Sequence, residues 1–139
     1  MQVEFALFCN AAEVSSDGTI DVLRGGYDIV RATGFPAKMG KMSLVVRLLC
    51  ESAECGRDHV FSSQMLDPLG NPLSPTEMKI AFNPPIYPGD PARKNRMTLR
   101  LEHWGLEFPV AGDYIFRFQV DGKQVGETGI EMKQKQETV

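Results

Sequence analysis

Three cysteines (Cys9, Cys50 and Cys55) and two histidines (His59 and His103) are the residues best suited to nucleophilic or acid–base chemistry. A thiol or hydroxyl hydrolase needs a nucleophile, a base and an orienting group within hydrogen-bond reach. Cys50 or Cys9 with His59 or His103 is the one such pairing available. Against it, Cys9 and Cys50 sit inside apolar, strand-like runs, where a thiol behaves as a small hydrophobe. There is also no Gly-x-Ser-x-Gly elbow. Buried thiols and strand-surface histidines account for these residues better than catalysis does. Cys50 and Cys55 stand four residues apart, outside the tight spacing of zinc knuckles, and no second pair completes four ligands. No disulfide framework or cofactor follows from an odd cysteine count in a chain without a signal-peptide pattern.

The aspartates pose a second question. Asp17, Asp21, Asp28 and Asp58 fall in or near loops, but lack the Asp-x-Asp-x-Asp-Gly run and closing Glu of a calcium loop. Scattered loop aspartates can still hold calcium, so Asp17, Asp21 and Asp28 are weak metal candidates. Turn formation explains Asp17, Asp67 and Asp121 without an ion. Gly18 and Gly25-Gly26 make no phosphate cradle, because no Lys-Ser or Lys-Thr follows them and no helix N-terminus is evident.

The binding candidates are aromatic and basic. Arg93, Lys94 and Arg96 form a small cluster beside Tyr87 and a Pro-rich stretch, suited to an acidic partner or simply to water. Trp104 closes an alternating run ahead of Gly105. Tryptophan is a frequent interface anchor and a frequent core residue, and its place before a Gly turn favours the core.

The elements that must position these residues are strands. The dominant hydrophobic period is two, and no helical stripe of convincing length occurs. Val3, Phe5, Leu7 and Cys9 alternate with Glu4, Ala6, Phe8 and Asn10, predicting a strand with the first set buried. Asp17-Gly18 is a turn, and Thr19 to Leu23 a second strand that forms a hairpin with the first. Gly25-Gly26 predicts a bulge or bend. Ser43 to Glu51 is nearly all apolar, as a central strand would be. His59 to Asp67, Thr76 to Phe82 and Arg96 to Trp104 follow as strands. The prolines from Pro84 to Pro91 mark a crossing loop. Tyr114, Phe116, Phe118 and Val120 line one face of a strand that turns at Asp121-Gly122 and returns from Lys123 to Met132. The expected fold is an all-β, immunoglobulin-like antiparallel sandwich of seven to nine strands, one domain over residues 1–133 with a polar tail at 134–139. The first and last strands are the expected sheet edges.

Three segments carry a resemblance. They are Glu4 to Ala12, Gly18 to Asp28, and Pro109 to Val125 with its Gly-Asp-Tyr entry, joined by the Pro84 to Pro91 loop. Together they resemble a family of small uncharacterised bacterial proteins predicted to be immunoglobulin-like β-sandwiches. The resemblance implies a fold and no activity.

Composition narrows the partners. A 139-residue chain fits one domain of roughly 100–150 residues. A net charge of -3 lacks the basic field that nucleic acid requires. No apolar run reaches the roughly 18 residues of a spanning helix, and Glu4 interrupts the first apolar stretch, so a cytoplasmic site is expected. The reading is a non-enzymatic binding or assembly module, using loops or a sheet edge, with a protein partner or a second copy. The alternatives are a calcium or small-ligand site and, behind that, a thiol hydrolase.

Overall fold

The computed structural model describes residues 1–73, 77–86 and 95–136. The chain is all-β, with one 3-10 turn at Ser52–Glu54. Its strands are β1 (Gln2–Cys9), β2 (Ala11–Val14), β3 (Ile20–Leu23), β4 (Ile29–Ala32), β5 (Ala37–Lys38), β6 (Lys41–Cys50), β7 (His59–Leu66), β8 (Met78–Phe82), β9 (Asn95–Trp104), β10 (Glu107–Phe108), β11 (Gly112–Val120) and β12 (Lys123–Gln134). Twelve strands among the described residues exceed the expected seven to nine, because short pieces such as β2, β5 and β10 pair locally.

A three-stranded sheet, β1-β6-β9, faces a five-stranded sheet, β4-β12-β11-β7-β8, across a shared core. Leu44, Val46, Leu48 and Leu101 meet Phe61, Met65, Phe116 and Phe118 there, all of them fully buried. The rings of Phe8 and Phe116 cross edge to face at 5.0 Å, a favoured aromatic geometry that ties the two sheets together. The five-stranded sheet curls towards β1. At the point of approach β12 has Gly126, where an added Cβ would lie 2.7 Å from Val3 Cγ2, so only glycine fits.

The aromatic face of β11 forms as expected. Tyr114, Phe116, Phe118 and Val120 are all buried. Asp121 and Gly122 adopt φ of 51° and 82°, the left-handed pair that a tight hairpin turn needs. Before β11, Tyr114 Oη donates to the Val110 carbonyl at 2.6 Å and accepts from the Val110 N–H at 3.1 Å. This closes the corner at which the chain enters β11.

The first third of the chain departs from its expected pattern. The β1–β6 register shifts between Val3 and Phe5, leaving Glu4 unpaired in a bulge. A bulge adds one residue and reverses which face later side chains meet. Val3 therefore packs with Ala6 and Phe8 in the shared core, while Phe5, Leu7 and Cys9 point the other way. Those three are covered by the hairpin of β2 and β3, which lies on the outer face of the three-stranded sheet. The hairpin is thus made by β2 and not by the first strand. Gly25-Gly26 is no strand bulge. It follows the end of β3 and anchors the chain's departure through Gly26 N–H, which donates to the Phe8 carbonyl at 2.8 Å. The chain then crosses to the other sheet, where β4 pairs parallel with β12. This makes β12 interior, so only β1 of the two expected edges is one. Gln134 and Lys135, at the start of the expected tail, bond to the carbonyls of Thr33 and Ala32.

Tyr114→Phe should cost about 1–2 kcal/mol in urea unfolding with an unchanged slope, since it removes both hydroxyl hydrogen bonds and keeps the ring. Phe116→Ala should cost about 3–5 kcal/mol, because it opens a cavity between the sheets. Equal costs would mean that the corner, not the core, holds the fold.

Candidate functional site

The hairpin that covers the three-stranded sheet leaves a cleft at one end. Its apolar seal is small: Cys9, Ala12 and Val45 are buried, with Phe5, Leu7 and Ile20 around them. Two arginines clamp it. Arg47 on β6 donates from Nη2 to the Gly18 carbonyl at 2.9 Å and from Nε to Thr98 Oγ1 at 3.0 Å, with its guanidinium over the Phe5 ring. Arg100 on β9 donates from Nη1 to the Ala12 carbonyl at 2.8 Å and lies 3.8 Å from Glu13. Beyond Arg100 the layers part, leaving an open cleft of about 370 Å³. The hairpin supplies one side through Asp21, Val22 and Leu23, and β6 and β9 supply the other through Lys41, Arg100 and Glu102.

Trp104 stands beside the cleft, next to its Lys41 and outside its lining. Side chains two apart on a strand share a face, so Trp104 continues the outer row of Arg100 and Glu102. Its ring is 70% exposed, and Leu23 across the cleft is 64% exposed. Lys41, directly opposite Trp104 in the ladder, sits over the indole at 5.7 Å and pairs with Glu102 at 3.3 Å. The preference for Trp104 as core is therefore corrected. Leu99, Leu101 and His103 take the inward positions of β9, and the period of two sends Trp104 outward.

A family model matches residues 4–133, nearly the whole chain. The chain belongs to DUF6941, a family of unknown function. No curated protein and no solved structure matches it.

The other sequence-predicted residues of this DUF6941 member are dispersed. Tyr87, Arg93 and Lys94 lie outside the described residues. Arg96 Nε donates to both carboxylate oxygens of Glu4 at 3.1 and 2.9 Å, and its side chain stays half-exposed. Asp17 accepts from the Thr19 hydroxyl and N–H, which hold its carboxyl below the ordinary range. Asp21 lines the cleft, and the backbone carbonyl of Asp28 accepts from Glu131 N–H. Among the described residues, no three His, Cys, Asp or Glu side chains gather as a metal site would require. The structure therefore does not bring Asp17, Asp21 and Asp28 together.

The thiols and imidazoles are likewise separate. Cys9, Cys50 and Cys55 are free and buried. Burial, with smaller contributions from Cys55 and Glu54, pushes the Cys50 thiol up to about 11, and burial also raises Cys9. Cys55 Sγ receives a hydrogen bond from Asn95 Nδ2 at 2.8 Å and donates to the Glu51 carbonyl. His103 is buried against Phe116 with its Nε2 unpartnered, and burial lowers its pKa, keeping the imidazole neutral. His59 spends both ring nitrogens on Asp121 and the Glu54 carbonyl. Neither imidazole is within hydrogen-bond reach of a thiol, so this arrangement lacks the proton relay of a thiol hydrolase.

The cleft itself went unseen in the sequence. Lys41, Arg100 and Glu102 look like ordinary strand-surface charges, and only the hairpin's docking turns them into a wall. The available signal was the outward row of β9, which carries its charges and its tryptophan on one face.

A thiol pushed up to about 11 carries about a hundredfold less thiolate at a given pH than an ordinary one. Cys50 in the native protein should therefore react with a thiol reagent at least about a hundredfold more slowly than free cysteine, and all three thiols should titrate after denaturation. A native thiol that outpaces free cysteine would restore the hydrolase reading.

Proposed function

We propose that the chain is an immunoglobulin-like β-sandwich acting as a non-enzymatic protein-binding module in the bacterial cytoplasm. Two features support the fold assignment. The tyrosine corner before β11 is a hallmark of immunoglobulin-like sandwiches, and the two larger sheets share one core between them. No described helix is long and apolar enough to cross a membrane.

The observation that carries the binding reading is the exposed Trp104 ring beside an open cleft. Large aromatic side chains left in water next to a concave surface are the usual anchors of protein interfaces. Trp104 costs the folded chain apolar exposure and makes no core contact in return, which a docking role explains. The occupant that fits is an extended segment of a partner protein. It would place an apolar side chain between Val22, Leu23 and the indole, and charges of both signs near Lys41, Arg100 and Glu102. The mixed charge of the wall argues against a polyanion such as nucleic acid. The high Cys50 pKa and the separation of thiols from imidazoles support a non-catalytic role.

Photo-crosslinking tests this. A photoreactive side chain at Leu23 should give discrete adducts in the native host, whereas one at Val60, 44% exposed on the other sheet, should not. Adding Trp104→Ala should abolish the Leu23 adducts, as loss of a hot spot of about 2 kcal/mol or more would. The same substitution should change folding stability by less than about 0.5 kcal/mol. Equal adducts from Leu23 and Val60, or adducts indifferent to Trp104→Ala, would end the proposal.

A further inference from the structure

At the other end of β6 a histidine bridges separate elements of the chain. His59 opens β7. Its Nδ1 lies 2.7 Å from Asp121 Oδ2 in the turn between β11 and β12. Its Nε2 lies 2.7 Å from the Glu54 carbonyl oxygen in the 3-10 turn. Both partners can only accept. A neutral imidazole has one N–H, so it can serve one of them and must turn a lone pair on the other. Imidazolium donates to both. The side chain is only 11% exposed, which leaves little room for water to substitute for a lost partner.

The surroundings fix which bond yields. Asp121 is held in place by its turn and by Val60 N–H, which donates to its Oδ1 at 2.9 Å. A charged acceptor also holds its hydrogen bond more strongly than a carbonyl does. The proton of the neutral ring therefore stays on Nδ1, facing Asp121, and the Glu54 carbonyl is left facing a lone pair. Among the described residues, the charged groups around His59 are few. Asp121 comes from the β11–β12 turn and the Glu54 carboxylate from the 3-10 turn, the latter paired with the Met1 amine at 2.9 Å. β8 contributes the Phe82 ring, and the neighbouring Asp58 accepts from Asn83.

We propose that His59 is a pH-operated latch: protonated, it clamps the 3-10 turn to the β11–β12 turn, and deprotonated, it releases the 3-10 turn. Burial opposes the charged ring. The Asp121 and Glu54 hydrogen bonds, with the charges of both carboxylates, outweigh it and raise the His59 pKa above its ordinary value. A raised folded value means that the clamp's stability is fully present below the ordinary histidine pKa of about 6.5. It is lost as pH climbs through the folded value. The latch thus closes below its raised midpoint and opens above it. Its release frees the backbone that carries two reporters. Cys55 N–H donates to the Ser52 carbonyl, and Gly56 N–H to the Pro84 carbonyl at 2.7 Å.

The chain has two histidines, so a proton NMR titration shows two ring signals, and His59→Gln identifies one of them. The His59 signal should titrate above the ordinary value. Asp121→Asn keeps an acceptor for Val60 and tolerates the same turn, and should lower that midpoint. Amide exchange at Cys55 and Gly56, corrected for its intrinsic pH dependence, should rise about tenfold across the titration. Gly26, bonded to Phe8 away from the latch, should not respond. In His59→Gln the corrected exchange should be flat. A wild-type midpoint at or below the ordinary value, or corrected exchange that stays flat through it, overturns the latch, whether or not Asp121→Asn folds.

Discussion

Burial of β6 on both faces governs everything else in this molecule. Leu44, Val46 and Leu48 turn towards the five-stranded sheet, while Ser43 and Val45 turn away from it, and all five have no exposed surface. A strand with two covered faces must have its backbone groups paired on both edges, and β1 and β9 do this along its length. It also needs a second cover. With β1 and β9 committed to its edges and the five-stranded sheet to its inner face, the outer cover comes from the stretch continuing from β1. That stretch becomes the β2–β3 hairpin. Its hold is mainly apolar, since a fully buried Val45 is worth about 2 kcal/mol, whereas the half-exposed Arg100–Glu13 pair contributes little. The hairpin covers the middle of the outer face and stops short of Lys41 and Trp104. The cleft is the uncovered remainder of a face that β6 required to be covered.

That constraint explains which parts of the fold were legible. The nearly continuous apolar run from Ser43 to Glu51 announced a central strand, and β6 is one. The aromatic alternation from Tyr114 to Val120 gave the inner face of β11 directly, because nothing interrupts its period. In β1 the same rule failed at Glu4. A single unpaired residue moves Phe5, Leu7 and Cys9 to the hairpin side, and no residue type in Val3-Glu4-Phe5 marks a bulge. Both sets of side chains in β1 are largely apolar, so hydrophobicity could not show that two different layers bury them.

The site was legible in part for a related reason. Leu99, Leu101 and His103 define the inward face of β9, so its period already placed Trp104 outside. The local cue of a following Gly turn competed with that period and pointed inward. Tertiary period outranks such a cue whenever the strand is regular. The cleft wall was illegible because it is made by residues from four separated segments, around Ala12, Asp21, Lys41 and Arg100. Their proximity follows from how the hairpin docks and from no local pattern. The same holds for His59, whose two acceptors come from a turn five residues earlier and a hairpin about sixty residues later.

The latch and the cleft sit at opposite ends of one strand. Lys41 begins β6 beneath Trp104, and Cys50 ends it just before the 3-10 turn that His59 holds. Ten residues of strand span roughly 30 Å, about four Debye lengths at physiological salt. The charge on His59 therefore cannot act on the cleft through its field. Any communication would have to be mechanical, and the β6 strand between them is paired on both edges and packed on both faces. A change of protonation at His59 should be absorbed by the loops that it ties, leaving the cleft unchanged.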